Sequence, residues 1–276
     1  MLNIKGYFKA TGSRVYSVLG AFPLFILYEA ICFIAALQGS FIRNGADVLL
    51  RSLVSITGIR SFQGFFFTAA LCSLIYIWPD LKKKNVPLKY SWFIFMILES
   101  FVYALFLAPL TVFFMTKTGL AFIPDITSIP QTASFFQHFP GQVGNLCYGP
   151  GADAVFLSSG AGKAGFIHEF GLMLGAGLYE ELFFRLILIN LGIQFFSRVF
   201  KKTRGIEASV YSVLLSSILF SAFHHIGSLG EVFVWKVFIF RFFAGLILSI
   251  IYVFRGFGIA AWSHALYDLI ILFTKG

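Results

Sequence analysis

Charge is what this chain has least of. Only 12% of its 276 residues are Asp, Glu, Lys or Arg, where a soluble domain carries about a quarter. A water-soluble globular protein is excluded. Acids are the scarcer sign, 12 against 21 basic residues, giving a formal charge of +9. That excess does not point to nucleic acid, because the cations gather in short clusters between apolar segments instead of lining one face. The expected partner is the lipid bilayer. Cysteine is scarce as well: Cys32, Cys72 and Cys147 are an odd count with no CxxC or His/Cys spacing. A disulfide framework and a thiolate metal site are both excluded, and Cys32 and Cys72, in apolar runs, read as small core hydrophobes. Lys5, Lys9 and Arg14 precede an apolar stretch, as in a signal peptide. The stretch is too long, lacks a small-residue cleavage site and reads as a retained first span.

What is abundant is apolar surface, 58% of residues. Seven segments are long enough to cross a bilayer at about 20 residues per helix, near 15–38, 62–79, 91–115, 166–197, 208–226, 232–254 and 258–273. They are too long and too continuously apolar for barrel strands. The expected fold is an all-α polytopic transmembrane helix bundle of about seven spans. Three accessory spans occupy residues 1–116, a polar loop residues 117–165, and a four-helix core residues 166–276. The loop holds Pro124, Pro130, Pro140 and Pro150, whose spacing blocks long helices. It reads as a surface connection, with a gating segment carrying Phe135, Phe136 and Phe139 as the alternative. With the N-terminus inside, twelve Lys and Arg residues face the cytoplasm (Lys5, Lys9, Arg14, Lys82, Lys83, Lys84, Lys89, Arg198, Lys201, Lys202, Arg204 and Arg255). Six (Arg43, Arg51, Arg60, Lys117, Lys163 and Lys275) face the other side. The positive-inside rule therefore places the N-terminus in the cytoplasm, and the expected location is a bacterial cytoplasmic membrane.

Against this background Leu178-Tyr179-Glu180-Glu181-Leu182-Phe183-Phe184-Arg185 stands out. A carboxylate at bilayer depth costs about 2.5–3.5 kcal/mol on insertion scales, so intramembrane ionisable groups read as functional. Glu181 and Arg185 are i,i+4 neighbours able to pair, leaving Glu180 turned about 100° away as a free base. Span five ends in Phe220-Ser221-Ala222-Phe223-His224-His225, and span seven carries His264-Ala265-Leu266-Tyr267-Asp268, with His264 and Asp268 on one face. Such groups, each from its own helix, can converge in a bundle core. There they could activate a water and stabilise an oxyanion, or ligate a divalent metal such as zinc through Glu180, His224 and His264. No metal or other cofactor is firmly expected.

Blander roles fit several of these residues. Glu181–Arg185 reads equally as a structural pair, and His225 as interfacial. Glu29 and Glu99 are expected to hydrogen-bond to spans of the other half, and Arg241 to need a carboxylate partner. Gly171, Gly175 and Gly177 would let a neighbouring helix approach and bring the histidine helix near Glu180. Other chemistries fail on spacing. His168-Glu169 is followed by Leu172 where a zincin needs His, no Gly-x-Ser-x-Gly elbow occurs, no second Asp in any expected span completes an aspartyl dyad, and Gly160–Lys163 lacks the P-loop spacing.

Taken in order on successive helices, Glu180-Glu181-x-x-x-Arg185, Phe220-x-x-x-His224 and His264-x-x-x-Asp268 resemble the CPBP family. These are the CAAX-processing type II endopeptidases and bacteriocin-processing or immunity proteins, also called Abi. The resemblance covers about residues 165–273. It implies a glutamate-dependent intramembrane endopeptidase acting on a peptide or membrane-protein substrate. Glu180 would be the base, Glu180 and His224 would hold the water, His264 and Asp268 would line the oxyanion side, and Glu181 and Arg185 would support. In a bacterial setting a leader peptide or membrane-anchored substrate fits better than a prenylated one. Many members carry Asn where this chain has Asp268, and an ionised carboxylate cannot donate to an oxyanion. Asp268 must be protonated, orient His264 or ligate a metal. The rival readings are a non-catalytic scaffold or bacteriocin-immunity-type binding protein, and a small transporter or proton relay.

Depth poses a conflict. Counted from the basic ends, Glu180 and His224 lie roughly 25 Å from the cytoplasmic side and His264 only about 10 Å. They meet only if residues 255–260 enter the membrane as an extended segment, which Gly256 and Gly258 permit, or if helix ends are staggered.

Overall fold

Inside lipid a continuous apolar run can satisfy its backbone only with itself, and among the described residues every element is accordingly helical. A computed structural model describes residues 4–37, 43–82, 87–118, 120, 163–200, 205–226 and 233–274. In chain order the elements are α1 (Ile4–Thr11), α2 (Arg14–Leu37), α3 (Gly45–Ile56), α4 (Phe62–Lys82), α5 (Tyr90–Lys117) and α6 (Lys163–Gly175). A π-helical stretch, π1 (Ala176–Ile189), follows, then α7 (Asn190–Val199), α8 (Gly205–Phe223), α9 (Trp235–Arg255) and α10 (Phe257–Thr274). Most of the 117–165 loop, with its prolines and Phe135, Phe136 and Phe139, lies outside the described residues. So do Cys147, Lys83, Lys84, Lys201, Lys202, Arg204 and Lys275.

Among the described residues six helices, α2, α4, α5, α8, α9 and α10, are long and apolar enough to cross a membrane. The chain is a multi-pass, all-helical membrane protein. The expected span at 166–197 is present as the composite α6–π1–α7 and not as one α-helix. Two helices were not foreseen. The α1 helix is short, and α3, with 12 residues, is about 18 Å long, too short for a hydrocarbon core of about 30 Å.

At the centre stands α10, packed on α2, α5, α6, π1 and α9. Glycines set these approaches. A Cβ on Gly177 would lie 2.5 Å from the Ala265 nitrogen and 2.7 Å from the Ala261 carbonyl oxygen, so π1 and α10 touch backbone to backbone. Gly171 and Gly175 face α2 instead, against Ile31 and Tyr28. Gly175 also meets Asn44 just before α3, so the glycine series serves three neighbours, and of the three glycines only Gly177 approaches a histidine-bearing helix, that of His264. At the periphery, α4 buries little of its surface. Cys32 is buried, but Cys72 on α4 is exposed, contrary to its reading as a core residue, because α4 turns that face to the surroundings.

The depth conflict has a simple resolution. Arg255, counted as a cytoplasmic marker, is buried. Its Nη2 donates to Glu99 Oε2 on α5 at 2.8 Å and to Thr11 Oγ1 at 2.9 Å. The end of α9 is therefore packed inside the protein, and His264 on the helix that follows it reaches Glu181 at 2.8 Å. No extended segment is needed: Gly256 alone, at φ +86°, joins α9 to α10.

Candidate active site

Glu180 and Glu181 lie on π1, wound with i→i+5 hydrogen bonds, a rare form that recurs at functional sites. The wider winding loosens the backbone ladder, and Ser216 Oγ on α8 donates to the Phe184 carbonyl at 2.7 Å. Glu180 is 1% exposed, and Glu181 and Arg185 are fully buried. Arg185 Nη1 sits 3.0 Å from Glu181 Oε1, and its Nη2 donates to the Gly245 carbonyl on α9 at 3.3 Å. The guanidinium lies 4.3 Å from the Phe220 ring centre, a cation–π contact. Gly245 makes room for this, since a Cβ there would reach Phe220 at 2.9 Å.

His224 follows the last residue of α8. Its Nδ1 lies 2.8 Å from the Phe220 carbonyl oxygen, which can only accept, so Nδ1 carries the proton and Nε2 presents a lone pair. That Nε2 faces Glu180 Oε2 at 3.9 Å. His264 on α10 donates from Nδ1 to Glu181 Oε1 at 2.8 Å, while its Nε2 faces Asp268 Oδ2 at 3.5 Å. The imidazole is fixed between two carboxylates. Phe220 packs edge-on against both histidines, with ring centres at 5.0 and 6.0 Å. Glu180, Glu181, Arg185, His224, His264 and Asp268 thus form one buried cluster drawn from π1, α8 and α10.

A fourth element enters this cluster unannounced by the sequence reading. Asn44, fully buried at the start of α3, donates from Nδ2 to Glu180 Oε1 at 3.3 Å. Its own Oδ1 accepts from the Ala46 nitrogen at 2.8 Å, capping α3. The available signal was an Asn before Gly45-Ala46-Asp47, a helix-start pattern. Behind it lies a second polar cluster. Glu29 accepts from Arg51 Nη2 at 2.7 Å, Arg43 Nη1 at 3.1 Å and Tyr179 Oη at 3.0 Å. Asp47 accepts from Arg43 Nη1 at 2.8 Å, Arg51 Nε at 2.7 Å and Tyr28 Oη at 3.0 Å. Burial alone would push the Arg43 pKa down, but Asp47, Tyr28 and Glu29 hold it above the ordinary arginine value. Arg43 and Arg51 are therefore not loop charges exposed on the far side. Glu29 does reach the other half through Tyr179, as expected, and Glu99 does so through Arg255.

A divalent metal does not fit these residues as they stand. Both His264 nitrogens face carboxylates of Glu181 and Asp268, and among the described residues no three His, Cys, Asp or Glu side chains gather where one ion could sit.

Comparison with curated proteins gives no match, and neither does comparison with solved structures. Residues 164–270 do match a family, described as Rce1-like, type II CAAX prenyl endopeptidase. That interval runs from the start of α6 almost to the end of α10 and takes in every charged and imidazole side chain of the cluster, while α1 to α5 lie outside it. The chain carries an Rce1-like type II CAAX prenyl endopeptidase domain at residues 164–270, consistent with the CPBP family and, at that level, with an intramembrane protease of the CAAX type.

Proposed function

We propose that this chain hydrolyses a peptide bond of a membrane-associated or leader-bearing substrate, with a water activated by Glu180. The observation that carries this reading is the pair of facing acceptors, Glu180 Oε2 and His224 Nε2, 3.9 Å apart and buried. That gap is too long for a direct hydrogen bond. A water about 2.8 Å from each atom spans it at an angle of roughly 90°, near its own H–O–H angle. Such a water donates one hydrogen to each acceptor and turns its lone pairs outward, toward a substrate carbonyl. Attack forms the new C–O bond as the water's proton passes to Glu180. Glu180 then delivers it to the amide nitrogen, the C–N bond breaks and the amine leaves.

In this scheme Glu181 and Arg185 orient His264 from one side and Asp268 from the other, on the side where the oxyanion develops. The scheme routes no step through a metal. We place the N-terminus in the cytoplasm: leaving out Arg43, Arg51 and Arg255, whose side chains are buried in the protein, the Lys and Arg bias is eleven against four.

The test is cleavage of a peptide library by purified, detergent-solubilised protein, wild type beside Glu180→Gln, with and without a chelator. Glu180→Gln keeps the shape and the Asn44 partner but is a far weaker base. Its cleavage is expected to fall at least about 1000-fold, with folding intact by thermal unfolding. Wild-type cleavage should survive the chelator. Equal cleavage by both proteins, or none by either when folded, would remove the reading in favour of a scaffold or binding role.

A further inference from the structure

Glu180 is held at both oxygens, and the two partners differ in kind. Oε2 faces the His224 lone pair, and Oε1 takes a hydrogen bond from Asn44. Asn44 comes from α3, outside the matched interval and 136 residues away in sequence. Its amide cannot turn freely. Oδ1 is engaged by the Ala46 N–H at 2.8 Å, which leaves Nδ2, the donor end, directed at Glu180. The Asn44 backbone N–H is spent on Tyr28 Oη at 2.9 Å, and Tyr28 is itself tied to Asp47. Gly175 opens the space, since a Cβ there would lie 2.9 Å from the Asn44 Cβ. The ion cluster of Glu29, Arg43, Asp47 and Arg51 anchors the whole start of α3.

We infer that Asn44 is a positioning residue for the base: its side-chain amide holds Glu180 Oε1 so that Oε2 is the oxygen presented to the water and to His224. The inference rests on Glu180 being the base. A carboxylate rotates about its terminal torsion with little resistance, and within the cluster its other close neighbour, His224, offers a lone pair and not a donor. Without the amide, Glu180 Oε1 loses the donor that distinguishes it from Oε2. The short helix α3 is then part of the catalytic apparatus, although it cannot span the membrane.

Asn44 also caps α3, so the test separates the two roles. Asn44→Asp and Asn44→Ser both keep an N-cap acceptor. Asp has no donor, and the Ser hydroxyl is too short to reach Glu180. Full-length protein is assayed on the library peptide that the wild type cleaves fastest. Both variants are expected to lose about 10- to 100-fold in kcat with KM within about twofold and the unfolding midpoint kept. Full activity in both variants, with only Asn44→Ala impaired, would mean that Asn44 is a cap and nothing more. A loss in Asp alone would report carboxylate repulsion and also overturn the inference, as would a loss of kcat that tracks a lowered midpoint. Glu180→Gln runs in parallel. If it still cleaves, the reading of Glu180 falls and takes this one with it. If it is dead while both Asn44 variants run at full rate, only the role of Asn44 falls.

Discussion

Asp268 occupies a position where many sequences of this resemblance have Asn, and its surroundings say what a carboxylate does there. Its Oδ2 faces His264 Nε2 at 3.5 Å, while Glu181 holds Nδ1 of the same ring. Of the three roles open to it in the sequence, we propose that it orients His264, whose Nε2 its Oδ2 faces. Asn at 268 would keep an acceptor for the imidazole and add a donor, so Asp268→Asn is expected to retain cleavage within about 10-fold of wild type. Asp268→Leu keeps the volume and loses the acceptor, and should cost about 100-fold or more in kcat. Steady-state kinetics on the two variants decides between orientation and a need for charge. At this scale the sequence was informative wherever partners share a helix. Glu181 with Arg185 and His264 with Asp268 follow from i,i+4 spacing alone. Asn44 was not readable in this way, because a contact across 136 residues leaves no periodic trace.

The helices that carry the cluster are set by where backbones can touch. Gly177→Ala would drive a Cβ into the backbone of α10 at Ala261 and Ala265, with no side chain able to yield. Overpacking of this kind costs about 1–3 kcal/mol. It should lower the unfolding midpoint and cleavage together, because the Glu181–His264 hydrogen bond crosses the same interface. Gly171→Ala meets the Ile31 side chain at 2.7 Å, which can rotate aside, so a smaller effect is expected in both assays. The apolar runs made the spans legible, since length and hydrophobicity decide them. Two features were not. The α3 helix is short and mixes Asp47, Arg51 and Ser52 with apolar residues, so it lacks the signature of a span. The π winding of Ala176–Ile189 is a choice between hydrogen-bond partners one residue apart, decided by packing and not by residue type.

Across the whole molecule, two buried polar networks join the N-terminal spans to the matched domain, through Glu29 with Tyr179 and Glu99 with Arg255. Tyr7 and Tyr103 also donate to Glu99, at 2.6 and 3.0 Å, drawing α1 into the second network. The first and third of the N-terminal spans, α2 and α5, are thus bound into the structure that holds the cluster. Charge counting saw only part of this, because it treats each Lys and Arg as a surface marker, and three of the arginines are not. Orientation can be checked directly. With the native cysteines replaced, Lys9→Cys is expected to react with a membrane-impermeant maleimide in inverted vesicles and not in right-side-out ones. The reverse pattern would turn the molecule over.

The joint between α9 and α10 is one residue long. Gly256 turns there at φ +86°, and a Cβ would strike Ser17 Oγ at 2.5 Å, so a side chain at this turn is strained. A link this short keeps the end of α9 and the start of α10 together. Arg185 leans on this pair at Gly245 and Glu181 at His264, one contact on each arm. We expect Gly245, His264 and Asp268, carried on two helices tied end to end, to keep their spacing when the protein admits a substrate.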